Sequence, residues 1–218
     1  MGEDRYLSVS SFRTPSLSEG WRELTNHRSQ TYLAGRFLLR QGDAGTHVLA
    51  LTRGLVKVVR TDRDGRQRLL AFRGPGEILG EMALQGRGVR MADVQAMSTC
   101  EASVIPAENF QRFVRENRLA YSIAEMAISR LREQTEAHDG AVCERLAAAL
   151  IRLVDASGGE RCFSLTREEL AQHVAAGRRA VSKALEELGP ELVRAGKSRI
   201  EVISVEGLCA EVAGHNVR

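Results

Sequence analysis

The stretch at residues 76–92 reads GEILGEMALQGRGVRMA; it sets the carboxylate of Glu81 directly behind Gly80 and reaches Arg90 after a short glycine-flanked loop. If GEMAL forms one helical turn, the amides of residues 81–83 point outward and carry a partial positive charge, which favours an anion. Arg90 can bind a phosphate with a charge-assisted fork. Glu81 is a poor partner for phosphate but accepts a hydrogen bond from a sugar hydroxyl. The pattern indicates a site for a cyclic nucleotide; a surface Glu81–Arg90 ion pair is the alternative.

Around this stretch, residues 31–106 read as short strands separated by glycine turns. Leu55, Lys57 and Val59 alternate with their neighbours as a half-buried strand does. The Asp64-Gly65 pair between two strand-like runs is a type I′ hairpin signal. Many short strands divided by glycine turns predict a small barrel, roll or sandwich.

After residue 106 the periodicity becomes helical, first in ENFQRFVREN and then in RLAYSIAEMAISRLREQTEAH. The second helix carries an apolar stripe that recurs about every four residues. The stripe either packs on its own domain or pairs with the same helix of a second subunit. Its members are Leu119, Ile123, Met126, Ala127 and Leu131.

Residues 164–204 form a compact third pattern. SLTREELAQHV opens with a capping box, in which Thr166 caps a helix and Glu169 reaches back to it. AAG is the turn, RRAVSKALEELG is a second helix, and LVRAGKSRIEVISV reads as a β-hairpin. Helix, glycine-bearing turn, helix and hairpin in this order predict a winged helix-turn-helix.

Bulk properties narrow the function further. The 218 residues carry a formal net charge of only +3, so overall charge does not announce a nucleic-acid binder. No apolar run reaches the roughly 20 residues of a membrane span, and the N-terminus lacks a signal-peptide core, so we expect a cytoplasmic protein without a membrane partner. The four cysteines form no C-x-x-C pair, which argues against zinc and iron–sulfur sites. The chain shows no P-loop, metal motif or nucleophile elbow, so we expect no enzyme.

GEILGEMAL followed by RMADVQA resembles the phosphate-binding cassette of cyclic-nucleotide-binding domains. From about residue 31 to 204 the chain resembles the CRP/FNR family of dimeric bacterial transcription regulators. The resemblance implies an α+β protein in three parts. These are an N-terminal cyclic-nucleotide-binding β-roll of the double-stranded jelly-roll type (1–116), a long dimerisation helix (117–138) and a C-terminal winged helix-turn-helix (139–218).

The family pattern also implies roles for individual residues. Nucleotide contacts fall on Gly80, Glu81, Met82, Ala83, Arg90, Met91, Gln134 and Thr135. DNA contacts fall on Thr166, Arg178, Arg179, Lys183, Arg194, Lys197 and Arg199. Because acidic and basic residues roughly balance across the C-terminal domain, DNA affinity requires a local basic face, and we expect Glu186 and Glu187 to be turned away from the DNA. The dimer contact falls on the apolar stripe of residues 119–131.

Three departures from the family pattern bear on function. Met91 stands where cyclic-AMP binders usually carry Ser or Thr, and a lost neutral hydrogen bond costs roughly 0.5–1.5 kcal/mol. Arg179 replaces a glutamate that accepts from cytosine, so we expect a different operator, since arginine prefers guanine or a phosphate. The hinge after His138 is shorter by roughly one helical turn.

The resemblance implies a regulator that needs no cofactor and responds to cAMP or cGMP. Its partners would be a palindromic double-stranded DNA operator, a second copy of the chain and RNA polymerase. Two alternatives stay open: a DNA-binding regulator whose pocket is vestigial because of Met91, and a regulatory subunit that does not bind DNA. An oxygen-sensing iron–sulfur branch lacks support because no cysteine precedes Cys100. A haem-sensing branch would need His47 or His138 as its ligand.

Overall fold

A computed structural model of the chain describes residues 21–85, 88–136 and 140–214. The N-terminal part begins with helix α1 (Trp21–Thr25) and continues as eight strands with one short helix, α2 (Met82–Gln85). The strands are β1 (Ser29–Tyr32), β2 (Phe37–Leu39), β3 (His47–Arg53), β4 (Val56–Thr61), β5 (Gln67–Arg73), β6 (Ile78–Leu79), β7 (Asp93–Ala96) and β8 (Cys100–Pro106).

These strands form two antiparallel four-stranded sheets that face each other, as a roll requires. One sheet has the order β1-β8-β3-β6 and the other β2-β7-β4-β5. Alternate side chains of both sheets point inward and share one buried apolar cluster, which includes Leu49, Leu51, Val56 and Val94. The β-roll prediction is therefore confirmed.

The β4–β5 hairpin exists, but its turn differs from the prediction. The chain pairs Thr61 with Gln67, and the Gly65 amide donates to the Asp62 carbonyl at 3.0 Å. Gly65 has a positive φ of 80°, whereas Asp64 is not among the residues with positive φ. A type I′ turn needs positive φ at both central residues, so that part of the prediction was wrong.

Two helices follow the roll, α3 (Ala107–Glu116) and α4 (Ala120–Glu136). The first half of α4 packs on the outer face of the β1-β8-β3-β6 sheet, where Ile123 and Met126 join a buried cluster with Val48 and Ile105. Hydrophobic burial against the roll fixes this face of α4.

The C-terminal part comprises α5 (Val142–Ala156), β9 (Cys162–Phe163), α6 (Arg167–His173), α7 (Arg178–Leu188), β10 (Val193–Ala195), β11 (Ile200–Val202) and α8 (Val205–Gly214). Its sheet has the order β10-β11-β9, so the expected hairpin is present beside the two helices. The capping box of Thr166 and Glu169 is confirmed at the start of α6. In the turn between α6 and α7, Ala175 takes the left-handed conformation (φ 47°), whereas Gly177 has φ −76° and is the N-cap of α7.

The C-terminal part is seated on strand β5 of the roll. Leu69 and Phe72 belong to the same buried cluster as the core of α5, α6 and α7. The Nδ1 atom of His173 lies 3.1 Å from the Leu69 carbonyl oxygen, and its ring centroid lies 5.0 Å from that of Phe72. Among the helices of the described ranges, none is long and apolar enough to cross a membrane.

Candidate nucleotide pocket and DNA-reading surface

The bend that opens the cassette depends on Gly80. Its φ is +88°, a left-handed conformation that demands glycine, and a Cβ atom there would also displace Nη1 of Arg90, which would lie only 2.2 Å away. Helix α2 then closes with a bond from the Ala83 amide to the Gly80 carbonyl at 3.3 Å. The expectation of a free Ala83 amide was therefore wrong, because that N–H is used inside the turn.

A cavity of about 520 Å³ lies between the β2-β7-β4-β5 sheet, the cassette and α4. Seven of the eight residues expected at the nucleotide site line it: Gly80, Glu81, Met82, Ala83, Arg90, Met91 and Gln134. The eighth, Thr135, is not among the lining residues, and its hydroxyl donates to the Leu131 carbonyl at 3.0 Å. Glu81 and Arg90 thus face one common space. The alternative of a surface Glu81–Arg90 ion pair is excluded, because both side chains are buried.

Arg90 is a buried cation, only 4% exposed. Its Nη1 donates to the Gly80 carbonyl at 2.7 Å, and its Nη2 donates to the His47 carbonyl. Burial lowers the pKa of Arg90, and the charges of Glu81 and Asp43 oppose this only in part. Both hydrogen bonds go to neutral carbonyls, so the positive charge is available to an anion in the cavity.

His47 is a poor fit to a haem ligand. Its Nδ1 lies 3.0 Å from the Thr46 hydroxyl, and it is not among the described residues that line the cavity. Burial and the neighbouring charge of Arg90 lower its pKa. His138, the other candidate, lies outside the described residues.

Glu81 is 3% exposed and is held from α4. Its Oε1 accepts a hydrogen bond from Nη1 of Arg130, a residue that also lines the cavity. Its Oε2 is buried and has no hydrogen-bond partner within the described chain. A buried carboxylate oxygen without a partner is costly, so this atom is ready to accept from a ligand hydroxyl.

Arg130 was missed by sequence reasoning. It precedes Gln134 by four residues, which places both on one face of α4, and this spacing was the available signal. Besides Glu81, its Nη2 donates to the Ile78 carbonyl at 2.7 Å and contacts Glu77 at 3.3 Å. The contact with Glu81 spans 49 residues and therefore needs the tertiary structure.

The second helix of the helix-turn-helix, α7, presents an exposed reading face. A shallow groove is lined by Arg178, Arg179, Ser182, Lys183 and Glu186. The expectation that Glu186 turns away was wrong, because Glu186 shares the groove with the cations. Glu187 is paired with Lys183 at 3.5 Å, so it too lies beside this face.

The remaining expected DNA contacts are spread around α7. Arg194, Lys197 and Arg199 are exposed on or near the β10–β11 hairpin. The Thr166 hydroxyl donates to Glu169 at 2.9 Å and accepts from the Glu169 amide at 3.2 Å. Its hydrogen is thus committed to the capping box, and a phosphate contact from Thr166 stays a prediction.

The expected dimer stripe divides between two faces of α4. Ile123 and Met126 are buried against their own roll and Leu119 packs beside them, so at these three residues the stripe packs on its own domain, which was the alternative to a dimer contact. Leu131 is 65% exposed and Ala127 is exposed, and both line the cavity. The outward apolar surface of α4 is formed by Tyr121 and Ile128, which are exposed and are not among the described residues that line the cavity.

Comparison with known proteins agrees with this architecture. Residues 29–117 match the family described as "Cyclic nucleotide-binding domain", and residues 144–211 match the "Crp-like helix-turn-helix domain". The chain is 32% identical over 185 residues to the "Cyclic AMP receptor protein" of Thermus thermophilus, covering 82% of this chain and 85% of that protein. It is 28% identical over 160 residues to the "Nitrogen fixation regulation protein FixK" of Rhizobium meliloti, covering 72% and 74%.

A solved structure of a CRP/FNR-family transcriptional regulator, also from Thermus thermophilus, has the same fold. It superposes with a TM-score of 0.70 at 24% identity and covers 85% of this chain and 98% of that one. The roll, the long helix and the helix-turn-helix therefore occur in the same order in both chains. With the sequence likeness over both domains, this protein belongs to the CRP/FNR family of transcriptional regulators, which are not enzymes.

Proposed function

We propose that the protein is a homodimeric, sequence-specific DNA-binding regulator whose effector is a cyclic nucleotide, cAMP or cGMP. The observation that carries the effector assignment is the pair of buried groups on one cavity. Among the described residues, no carboxylate forms an ion pair with the buried cation Arg90, and none of them donates a hydrogen bond to Oε2 of Glu81. A cyclic nucleotide presents a phosphodiester anion beside a ribose hydroxyl, which suits both groups.

Isothermal titration calorimetry with cAMP and with cGMP tests the effector. Replacing Glu81 by Gln removes a charged acceptor, and hydrogen bonds to charged groups contribute about 1.5–3 kcal/mol. We expect affinity to fall by roughly 10- to 100-fold. The control is Glu101→Gln, which changes a partly exposed residue of the same roll that is not among the described cavity-lining residues, and it should bind as the wild type does. A flat wild-type titration with both nucleotides would refute the proposal.

A vestigial pocket is the second candidate, and Met91 favours it. Met91 lines the cavity and is 53% exposed, and because methionine has no hydroxyl it cannot donate a side-chain hydrogen bond to a phosphate there. DNA binding that is unaffected by either nucleotide, together with flat calorimetry, would support this reading.

For the DNA-reading function, the exposed groove of α7 is the support. A homodimer would set two such helices into successive major grooves about 34 Å apart, so selection from random duplex DNA should enrich a palindrome. Arg179→Gln should cost about 1–3 kcal/mol and relax specificity at one base. Arg194→Gln should weaken binding to all sequences about equally. Enrichment of no palindrome would favour a regulatory subunit that does not bind DNA.

The outward apolar surface of α4 supports the homodimer. Ile128 of α4 is 51% exposed and is not among the described residues that line the cavity, and Leu33, 65% exposed, lies between β1 and β2 of the roll. We expect Ile128→Glu to yield monomers in sedimentation velocity, because a buried unpaired charge is costly. Leu33→Glu is the matched control and should stay dimeric. RNA polymerase is the remaining partner that the family implies, and co-sedimentation of the polymerase with the regulator on operator DNA tests this interaction.

A further inference from the structure

Five charged side chains join the roll to α4 at the inner end of the cavity. Arg73, at the end of β5, contacts Glu133 of α4 at 2.8 Å and Glu77 at 3.1 Å. Glu77 in turn contacts Arg130, which holds Glu81. Consecutive ion pairs therefore connect Glu81, in the cavity, to Arg73 at the C-terminal end of β5.

This network is buried and electrically unbalanced. Arg73 is 7% exposed, and its Nη1 also donates to the Phe72 carbonyl at 2.7 Å. Two arginines face three glutamates, so one negative charge is in excess. Burial raises the pKa of Glu77 and outweighs the opposing charges of Arg73 and Arg130. Charges interact more strongly when they are removed from water, so a ligand that binds at Glu81 changes the strength of the neighbouring ion pairs in this network.

The residues on either side of Arg73 touch the DNA-reading domain. Phe72 packs on the ring of His173 in α6. Gly74 lies so close to the end of α5 that a Cβ atom there would be 1.6 Å from the Ala156 carbonyl oxygen. One short segment thus contacts α4 through Arg73 and the reading domain through its two neighbours.

We propose that Arg73 is a positioning residue that links occupation of the nucleotide cavity to the seating of the DNA-reading domain on its own roll. The inference rests on the proposed nucleotide function. Arg130 lines the cavity, so a ligand phosphate that attracts Arg130 weakens the contact of Arg130 with Glu77. Glu77 then draws more strongly on Arg73 and competes with Glu133 for it. Because tightly packed segments move together, the shift reaches the contacts of Phe72 and Gly74.

The test compares two double variants. Arg73→Met with Glu133→Met removes one positive and one negative charge, so the net charge of the network is unchanged. Arg53→Met with Glu101→Met removes an exposed ion pair of 3.5 Å from the same roll and is the matched control. DNA affinity is measured by fluorescence anisotropy on the selected operator, without nucleotide and with saturating cAMP or cGMP. Calorimetry gives the nucleotide affinity of each protein.

In the wild type and the control, nucleotide should change DNA affinity by about 5- to 150-fold, the usual range of allosteric coupling. In the Arg73/Glu133 variant this ratio should fall to within about twofold of one. Because Arg73 itself lines the cavity, nucleotide affinity is compared in Glu133→Gln, which keeps the side-chain shape and changes a residue that is not among the described lining residues. In Glu133→Gln the ratio should fall likewise, while nucleotide affinity changes by less than about fivefold.

An unchanged ratio in the variant, or a wild-type ratio of one despite bound nucleotide, overturns the inference and leaves nucleotide binding intact. A merely structural role would lower stability and both affinities together, and it would not separate the two. A flat wild-type calorimetric titration refutes the proposed effector and the inference with it.

Discussion

Replacing Gly74 by Ala should strain the seat of the DNA-reading domain on the roll. The added Cβ atom would lie 1.6 Å from the Ala156 carbonyl oxygen and 2.6 Å from its carbonyl carbon, whereas real Cβ contacts essentially never fall below 3.0 Å. The two backbones must therefore separate by about 1.4 Å, since neither neighbouring atom belongs to a side chain that can rotate away.

Two responses compete, and their magnitudes decide between them. Complete undocking would expose Leu55, Leu69 and Phe72, which lie in the core shared with the reading domain. Exposing each costs about 1.5–3 kcal/mol, so undocking costs about 5–9 kcal/mol. Overpacking usually costs about 1–3 kcal/mol. We expect the domain to stay docked but displaced, with unfolding free energy lower by about 3 kcal/mol and the Tm lower by about 6–12 °C.

Thermal and urea unfolding followed by circular dichroism measure the effect. Gly196→Ala is the matched control, because its nearest contact would be an ordinary 3.5 Å and no positive φ is involved. The control should differ from the wild type by less than about 0.5 kcal/mol. A Gly74→Ala protein as stable as the control would show that β5 and α5 do not approach as described.

Three further results are expected. Burial lowers the pKa of His173 to about 4, so between pH 6.5 and 4 the unfolded chain binds a proton that the folded chain does not. The free energy of unfolding should therefore fall by about 3 kcal/mol as the pH falls through this window. Urea unfolding of His173→Asn, which keeps a donor near the Leu69 carbonyl, should show no such fall. Ala175→Gly should stabilise by about 0.5–1 kcal/mol, because glycine relieves the left-handed strain, whereas Ala180→Gly inside α7 should cost about 1 kcal/mol; equal signs in thermal unfolding would contradict this. Glu186→Gln should strengthen DNA binding about fivefold at low salt by removing a negative charge from the reading groove, and an unchanged anisotropy titration would place Glu186 away from the phosphates.

Much of the fold and site followed from local patterns. The capping box of Thr166 and Glu169 involves residues three apart, so sequence alone shows both partners. Glycine turns and period-two runs predicted the roll, and Gly80, Glu81 and Arg90 predicted the cavity that they line. Local patterns failed where two conformations share one signal: Asp64-Gly65 suits several hairpin turns, and only the strand register decides among them.

The sequence by itself determined the order of elements and the polar groups of the cassette, since periodicity, turns and caps act between near neighbours in the chain. Tertiary structure alone decided which apolar residues of α4 face the roll, because Ile123 and Leu131 fit a helical stripe equally well. It also decided that Arg130 holds Glu81 and that Arg73 joins β5 to α4. Ion pairs between residues 49 or 60 positions apart arise only when folding removes their side chains from water together, and no spacing rule in a single chain encodes that.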